Sequence, residues 1–381
     1  GFATTDSTIM KMRAPNSGDG SYSSPAINRW FLLLGSGPSG YDATTKSKAL
    51  NTAETSGNAS IVIYDLQSKS IHTSLFGVQT SAFVGGITAA DWNQDYVDDD
   101  FYFGTVSGTP AAPTGKLFRG VPTVSGSSVS FATSLVMNTN QPISAAPTTL
   151  TDHLNNFWVY FGTGRFYVVD DNNSSSQQSY YGIKEPKTAG VMNYSALTTS
   201  NLINTTDIQV FADGAIRSKS TGSSPVTLSN GGTAGAFYDV VDEVSKVSGW
   251  YFNFSRARSR NTNKSVVADQ SLIFSEYQPS GLKCQPEGQG YLNAPHLFAG
   301  IPGYFAPIGK DSSVQFNGKD LVNLSASLGL GAPSAPQIHQ NSNGVRNAVV
   351  QTSTGQITWQ TITAGAVQGK RETWREILIN W

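Results

Sequence analysis

Short apolar and aromatic runs recur along the whole chain, each cut by Gly, Ser, Asn or Pro. β-branched and aromatic residues bounded by turn formers are the pattern of β-strands. The runs at 30–34, 60–66, 100–103, 116–119, 157–161, 166–169, 250–254, 271–275, 348–352 and 356–361 are therefore predicted as strands. Helical periodicity is scarce, with weak candidates only at 193–202 and 319–328. Three runs share one form: WFLLLGSG (30–37), DFYFGTVSG (100–108) and FWVYFGTG (157–164) each lead through Gly-Ser or Gly-Thr to a second run, IVIYDL, GKLFRG or RFYVVDD. A later echo is NAVVQTSTGQITWQ (347–360). Glycine at such a place is expected to supply the positive φ of a tight hairpin. A strand–turn–strand unit repeated at intervals of tens of residues predicts an all-β propeller with loop insertions, although a sandwich or β-helix yields similar runs. Nothing along residues 1–381 marks an interdomain linker, so a single propeller domain is expected.

Composition narrows the function classes. The 381 residues carry 25 Lys+Arg and 26 Asp+Glu, a net charge of −1, and only 13% charged residues. That is about half the usual share. No basic cluster offers the face that a nucleic-acid partner requires. The longest apolar run, 30–34, is far short of the ~18 residues of a membrane span. Cys284 is the single cysteine, so neither an internal disulfide nor a CxxC zinc site is possible. A surface wetted by Ser, Thr, Asn and Gly fits an extracellular or cell-surface setting. The chain begins at Gly1 without a leader-like segment, which is read as a fragment or a processed chain.

One segment carries candidate chemistry. Five of the ten residues 91–100 are Asp. Counted from Asp91, side-chain oxygens fall at positions 1 (Asp91), 3 (Asn93), 5 (Asp95) and 9 (Asp99), and Val97 at position 7 offers its backbone carbonyl. This is the oxygen spacing of an EF-hand-like loop, and it points to Ca²⁺. Two departures stand out: Tyr96 occupies the glycine position, and Tyr102 stands where a bidentate Glu is expected. A strand follows the loop, so no helix–loop–helix is expected. The plainer alternative is a solvated acidic turn, in which five uncompensated Asp would repel one another. The run 170–173 lacks the spacing of two and reads as a turn. His72, His153, His296 and His339 are scattered without metal-ligand spacing. No nucleophile elbow, Walker A or HExxH motif occurs.

Taken together, these segments resemble the C-terminal propeller of the PilC/PilY family of type IV pilus tip-associated adhesins and assembly factors. WFLLLGSGPSGY with IVIYDL, DWNQDYVDDDFYFGTVSG with GKLFRG, YFGTGRFYVVDDNNSSSQQSYYGIKE, GWYFNF and the closing GKRETWREI carry the likeness, across most of 25–378. The resemblance implies a modified, quinoprotein-like β-propeller of about seven blades. It implies calcium ligands at Asp91, Asn93, Asp95, Val97 and Asp99, with Asn93 keeping an oxygen where Asp is common. The family's usual N-terminal von Willebrand-type domain is absent from this sequence, and its CxxGG-like segment appears as CQPEGQG without a second cysteine. The implied function is non-enzymatic: pilus biogenesis, extension and retraction control, twitching motility and adhesion. The implied partners are minor or major pilins and a host or surface ligand, at the pilus tip or the outer membrane. A quinoprotein-like dehydrogenase and a glycan-binding propeller are the competing readings. The apolar tail 373–379 is expected to close the ring with N-terminal sequence.

Overall fold

In the computed structural model, residues 5–14, 27–125, 128–188, 191–281 and 287–365 are described. Five sheets of three or more strands follow one another along them. The first is a four-stranded antiparallel meander of Thr8–Ala14, Ile27–Gly35, Ala59–Asp65 and Ser70–Gln79. The second is built from Ala82–Ala90, Asp100–Gly108, Lys116–Ser125 and Ser128–Asn138, with Pro113–Thr114 added at its side. Thr148–Thr151, Phe157–Gly162, Ser179–Lys184 and Gly249–Asn253 make the third, which Ile203–Asn204 joins in parallel. The fourth contains Val266–Ala268, Ser271–Gln278, Gln289–Asn293 and Ser325–Leu330. Gln337–Gln340, Arg346–Gln351 and Ile357–Ile362 form the fifth.

The cores lie between consecutive sheets. Phe31, Leu33 and Ile63 of the first pack on Val84, Phe101 and Phe103 of the second. Tyr102, Leu117 and Met137 of the second pack on Val159, Phe161 and Tyr181 of the third. Trp158, Tyr160 and Trp250 meet Leu272 and Phe274 of the fourth, and Ile273 and Leu292 meet Ala348 and Val350 of the fifth. Small meanders stacked face to face in chain order are blades, and the all-β propeller expected from the sequence is the architecture found. The described residues supply five such sheets, against about seven expected. Strand Asp100–Gly108 is buried on both faces through Ser107, as a strand flanked by neighbouring blades must be. The outward faces of the two end sheets stay exposed, with Ile9, Trp30 and Ile71 on the first and Ile357 and Trp359 on the fifth. The expected closing strand 373–379 and Cys284 lie outside the described residues. No helix among the described residues is long and apolar enough to cross a membrane.

Several sequence expectations need correction. The repeated glycines Gly35, Gly104 and Gly162 have no positive φ. Each instead lets the next blade approach: an added Cβ would lie 2.7 Å from Val84, 2.3 Å from Ile143 or 2.5 Å from Asn261, respectively. The run 166–169 is not a strand; it leads into a 3₁₀ turn at Val169–Asn173, with Val169 exposed. The weak helix at 193–202 reduces to the turn Thr199–Asn201, and 319–328 is divided between strands Lys319–Val322 and Ser325–Leu330. Among the described residues the α-helices are Ala43–Asn51 and Phe237–Ser245. The first is polar and opens on a capping box between Asp42 and Thr45. The second buries Phe237, Val240 and Val244, a helical spacing hidden in a short run.

Candidate metal loop and the buried charges beneath it

The acidic loop joins two strands of the second sheet, Ala82–Ala90 and Asp100–Gly108. Its side chains wind the backbone around themselves. Asp91 accepts the N–H groups of Asp95 (Oδ1, 3.2 Å) and Tyr96 (Oδ2, 2.8 Å). Asn93 Oδ1 accepts from Asp95 N at 2.9 Å, and Asp95 Oδ1 accepts from Val97 N at 2.9 Å. Asp99 Oδ2 accepts from Trp92 N at 2.8 Å, so the last oxygen of the series reaches back to the first turn. Gln94 and Tyr96 hold positive φ of 60° and 66°, the left-handed conformation that glycine would adopt without strain at the sixth position. Tyr96 points its ring into solvent.

The five positions are thus tied into one tight loop, while Val97 takes part through its N–H. Among the described residues no three His, Cys, Asp or Glu side chains converge as a metal-binding group. Each carboxylate oxygen that accepts one N–H still has acceptor capacity left. The charges in the loop are not balanced internally. Asp99 is shifted upward by burial and by the charges of Asp91 and Asp95, against the opposing Trp92 N–H. Asp98, which accepts from Lys11 N at 2.6 Å, is raised by burial and by Asp91 and Asp99. A cation at the loop would relieve both shifts.

Beneath the loop lies a group that the sequence reading missed. Arg119 donates from Nε to Glu185 Oε1 at 2.9 Å and from Nη2 to Oε2 at 2.5 Å, with both side chains fully buried. Tyr102 donates its hydroxyl to Glu185 Oε1 at 2.8 Å, and burial with the nearby Glu185 charge raises that phenol well above its ordinary range. Asp100 accepts from Trp92 Nε1 at 3.1 Å; burial first, and the Glu185 charge with it, push the carboxyl up to about 6. A cleft of about 310 Å³ lined by Trp92, Asn93, Asp99, Asp100 and Tyr194 opens beside the loop. Arg119 and Glu185 stand 66 residues apart, so nothing local in the sequence pairs them.

A second charged turn lies in the connection between strands Phe157–Gly162 and Ser179–Lys184 of the third sheet. Arg165 donates from Nε to Asp171 Oδ1 at 2.8 Å and from Nη2 to Thr52 O at 2.7 Å. Asp171 Oδ2 accepts the N–H groups of Tyr167 and Val168. Arg260 donates to the carbonyls of Arg165, Asp171 and Ser174. The turn expected at 170–173 is present, but Asp171 is an interior anchor. Among the described residues the histidines join no metal group: His72 bonds Val129 O at 2.9 Å, while His296 is buried and accepts Phe298 N at 3.2 Å on Nδ1.

No family model matches the chain. A curated relative, the type IV pilus biogenesis factor PilY1 homolog of Xylella fastidiosa, is 23% identical over 359 residues; the match covers 92% of this chain and 25% of the relative. The chain thus spans about a quarter of that relative's length. Among solved structures, the C-terminal domain of Pseudomonas aeruginosa PilY1 aligns with a TM-score of 0.60 at 19% identity, covering 96% of this chain and 72% of that one. In sequence and in fold, the chain is similar over nearly its whole length to PilY1 proteins, and its architecture is that of the PilY1 C-terminal β-propeller.

Proposed function

We propose that this propeller acts in type IV pilus biogenesis as a non-enzymatic, calcium-responsive module at the cell surface. The observation that supports it best is the likeness to PilY1 sequence and fold across more than nine-tenths of the chain. Its partners are minor or major pilins, together with a host or surface ligand in adhesion, and its place is the pilus tip or the outer membrane. Calcium is the proposed ligand of Asp91, Asn93, Asp95, the Val97 carbonyl and Asp99. The oxygen spacing, the loop wound on its own carboxylates and the upward shifts of Asp98 and Asp99 support that reading. Without a bidentate Glu, the affinity is expected at about 10⁻⁵ to 10⁻³ M. Bound calcium would hold the turn at the edge of the cleft beside Trp92 and Tyr194, tuning a surface without entering a reaction.

Deletion of the full-length gene is expected to reduce surface piliation and twitching. Restoring it with Asp91→Ala and Asp95→Ala together should return folded protein with altered extension or retraction. Wild-type piliation in the deletion strain, with no pilin recovered by pull-down, overturns the assignment. For calcium alone, calorimetry should detect one site in the wild-type chain and none in Asp95→Ala. Purified protein with a quinone chromophore in its visible spectrum, or with dye-reduction turnover on alcohols or sugars, overturns the non-enzymatic reading.

A further inference from the structure

A separate cleft of about 270 Å³ lies where the third sheet meets the fourth. Phe252 and Phe254 line it, with their rings packed inward on Tyr180 and Phe274. Its charged group is Arg256, held from three sides. Nη1 donates to both oxygens of the buried Glu276 at 3.2 Å, Nη2 donates to Ser325 Oγ at 2.6 Å, and the guanidinium lies 3.6 Å from the Tyr291 ring centre. Glu276 is fixed in turn by Asn293 Nδ2 at 2.9 Å. A guanidinium has five N–H donors, so these anchors leave part of the fork unspent. Lys219 also lines the cleft and makes no ion pair among the described residues. Glu276 balances Arg256, and Asp207, just outside the lining, is the acid near Lys219, its carboxyl held by the Ser218 and Ser220 hydroxyls. Asn253 adds amide donors, since its Oδ1 already accepts from Ser179 Oγ at 2.7 Å.

We infer that this cleft binds an acidic monosaccharide of the hexuronate class. Its size is near the lower end of small-molecule sites, which suits one ring. A preorganised guanidinium with a second cation recognises a carboxylate. The Asn253 amide donors suit a ring that presents hydroxyls on its edge. The inference concerns a different part of the molecule from the acidic loop and stands or falls apart from the pilus reading.

The test is saturation-transfer NMR and calorimetry on the intact chain with glucuronate, galacturonate, glucose and benzoate. A hexuronate should bind about tenfold more tightly than glucose, the range a charge-assisted pair supplies. Lys219→Ala, at an exposed position, should fold normally and lose most of that preference, and Arg256→Gln should lose hexuronate binding. Equal binding of glucose overturns the carboxylate assignment. Tighter binding of benzoate overturns the sugar assignment. No hexuronate binding at tens of millimolar, or unchanged binding in folded Lys219→Ala, overturns the site.

Discussion

Asp171 and Asp95 both belong to acid-rich runs beside strands, and the fold treats them in opposite ways. Asp171 is wholly buried: one oxygen accepts from Arg165, the other accepts two backbone N–H groups, and its carbonyl accepts from Arg260. Asp95 is exposed, and among the described residues its carboxylate accepts from Val97 N–H at 2.9 Å and Asn93 Nδ2 at 3.3 Å alone. A charge stripped of water must be matched inside the protein, so Asp171 is committed to holding the turn and the Arg165 guanidinium in place. A charge left in water with spare lone pairs is free to meet an outside cation. The difference separates a structural acid from a candidate ligand more sharply than acid counts do.

The largest expected effect lies at the buried member. Asp171→Ala leaves Arg165 without its counter-charge in the interior and should cost about 3–5 kcal/mol. Chemical denaturation should show a large fall in midpoint, or the protein should fail to accumulate in folded form. An unchanged midpoint would remove the distinction between the two runs.

His296 extends the contrast to a buried base. Its ring lies edge-on to Phe237 and Phe298, with centroids 5.1 and 5.8 Å away, and burial lowers its pKa from 6.5 to about 4. Between about pH 4 and 6.5 the unfolded chain therefore binds more protons at this position than the folded one, and stability rises with pH across that window. The contribution is complete above about pH 6.5 and is lost as pH falls to about 4; the shift corresponds to about 3 kcal/mol. Asp100, raised to about 6, titrates in the same window with the opposite slope, so the difference between proteins is the readout: from pH 7 to pH 4 the wild-type denaturation midpoint should drop relative to that of His296→Phe. Identical slopes in both proteins would assign the acid sensitivity elsewhere.

The sequence was legible where the physics is local. Nine of the ten predicted runs fall on strands, because alternating or fully apolar β-branched and aromatic residues declare a strand within a few positions. The acidic loop was legible for the same reason: residues 91–99 interact mainly with one another. What stayed hidden depends on distance. Arg119 and Glu185 pair across two blades, and the run 166–169 resembles a strand until Arg165 is seen turned back on Asp171. The glycine repeat was visible, but its role was not. A close approach to the neighbouring blade is invisible until that blade is in place.

The smallest stability effect is expected at the exposed member. Without calcium, Asp95→Ala removes an acceptor for one exposed backbone N–H and one charge from an acid-rich turn. The two changes oppose each other, so stability should stay within about 0.5 kcal/mol of wild type. With calcium the two proteins should part. At a hundredfold excess over Kd, binding to the native state alone stabilises the wild type by about 2.7 kcal/mol. Its melting temperature should climb with calcium, while that of Asp95→Ala should stay flat. Magnesium is the sharper control, because it demands a near-octahedral site and dehydrates reluctantly. Wild-type melting that responds equally to both ions, or that remains flat in calcium, would make the loop an acidic turn whose carboxylates serve only its own backbone.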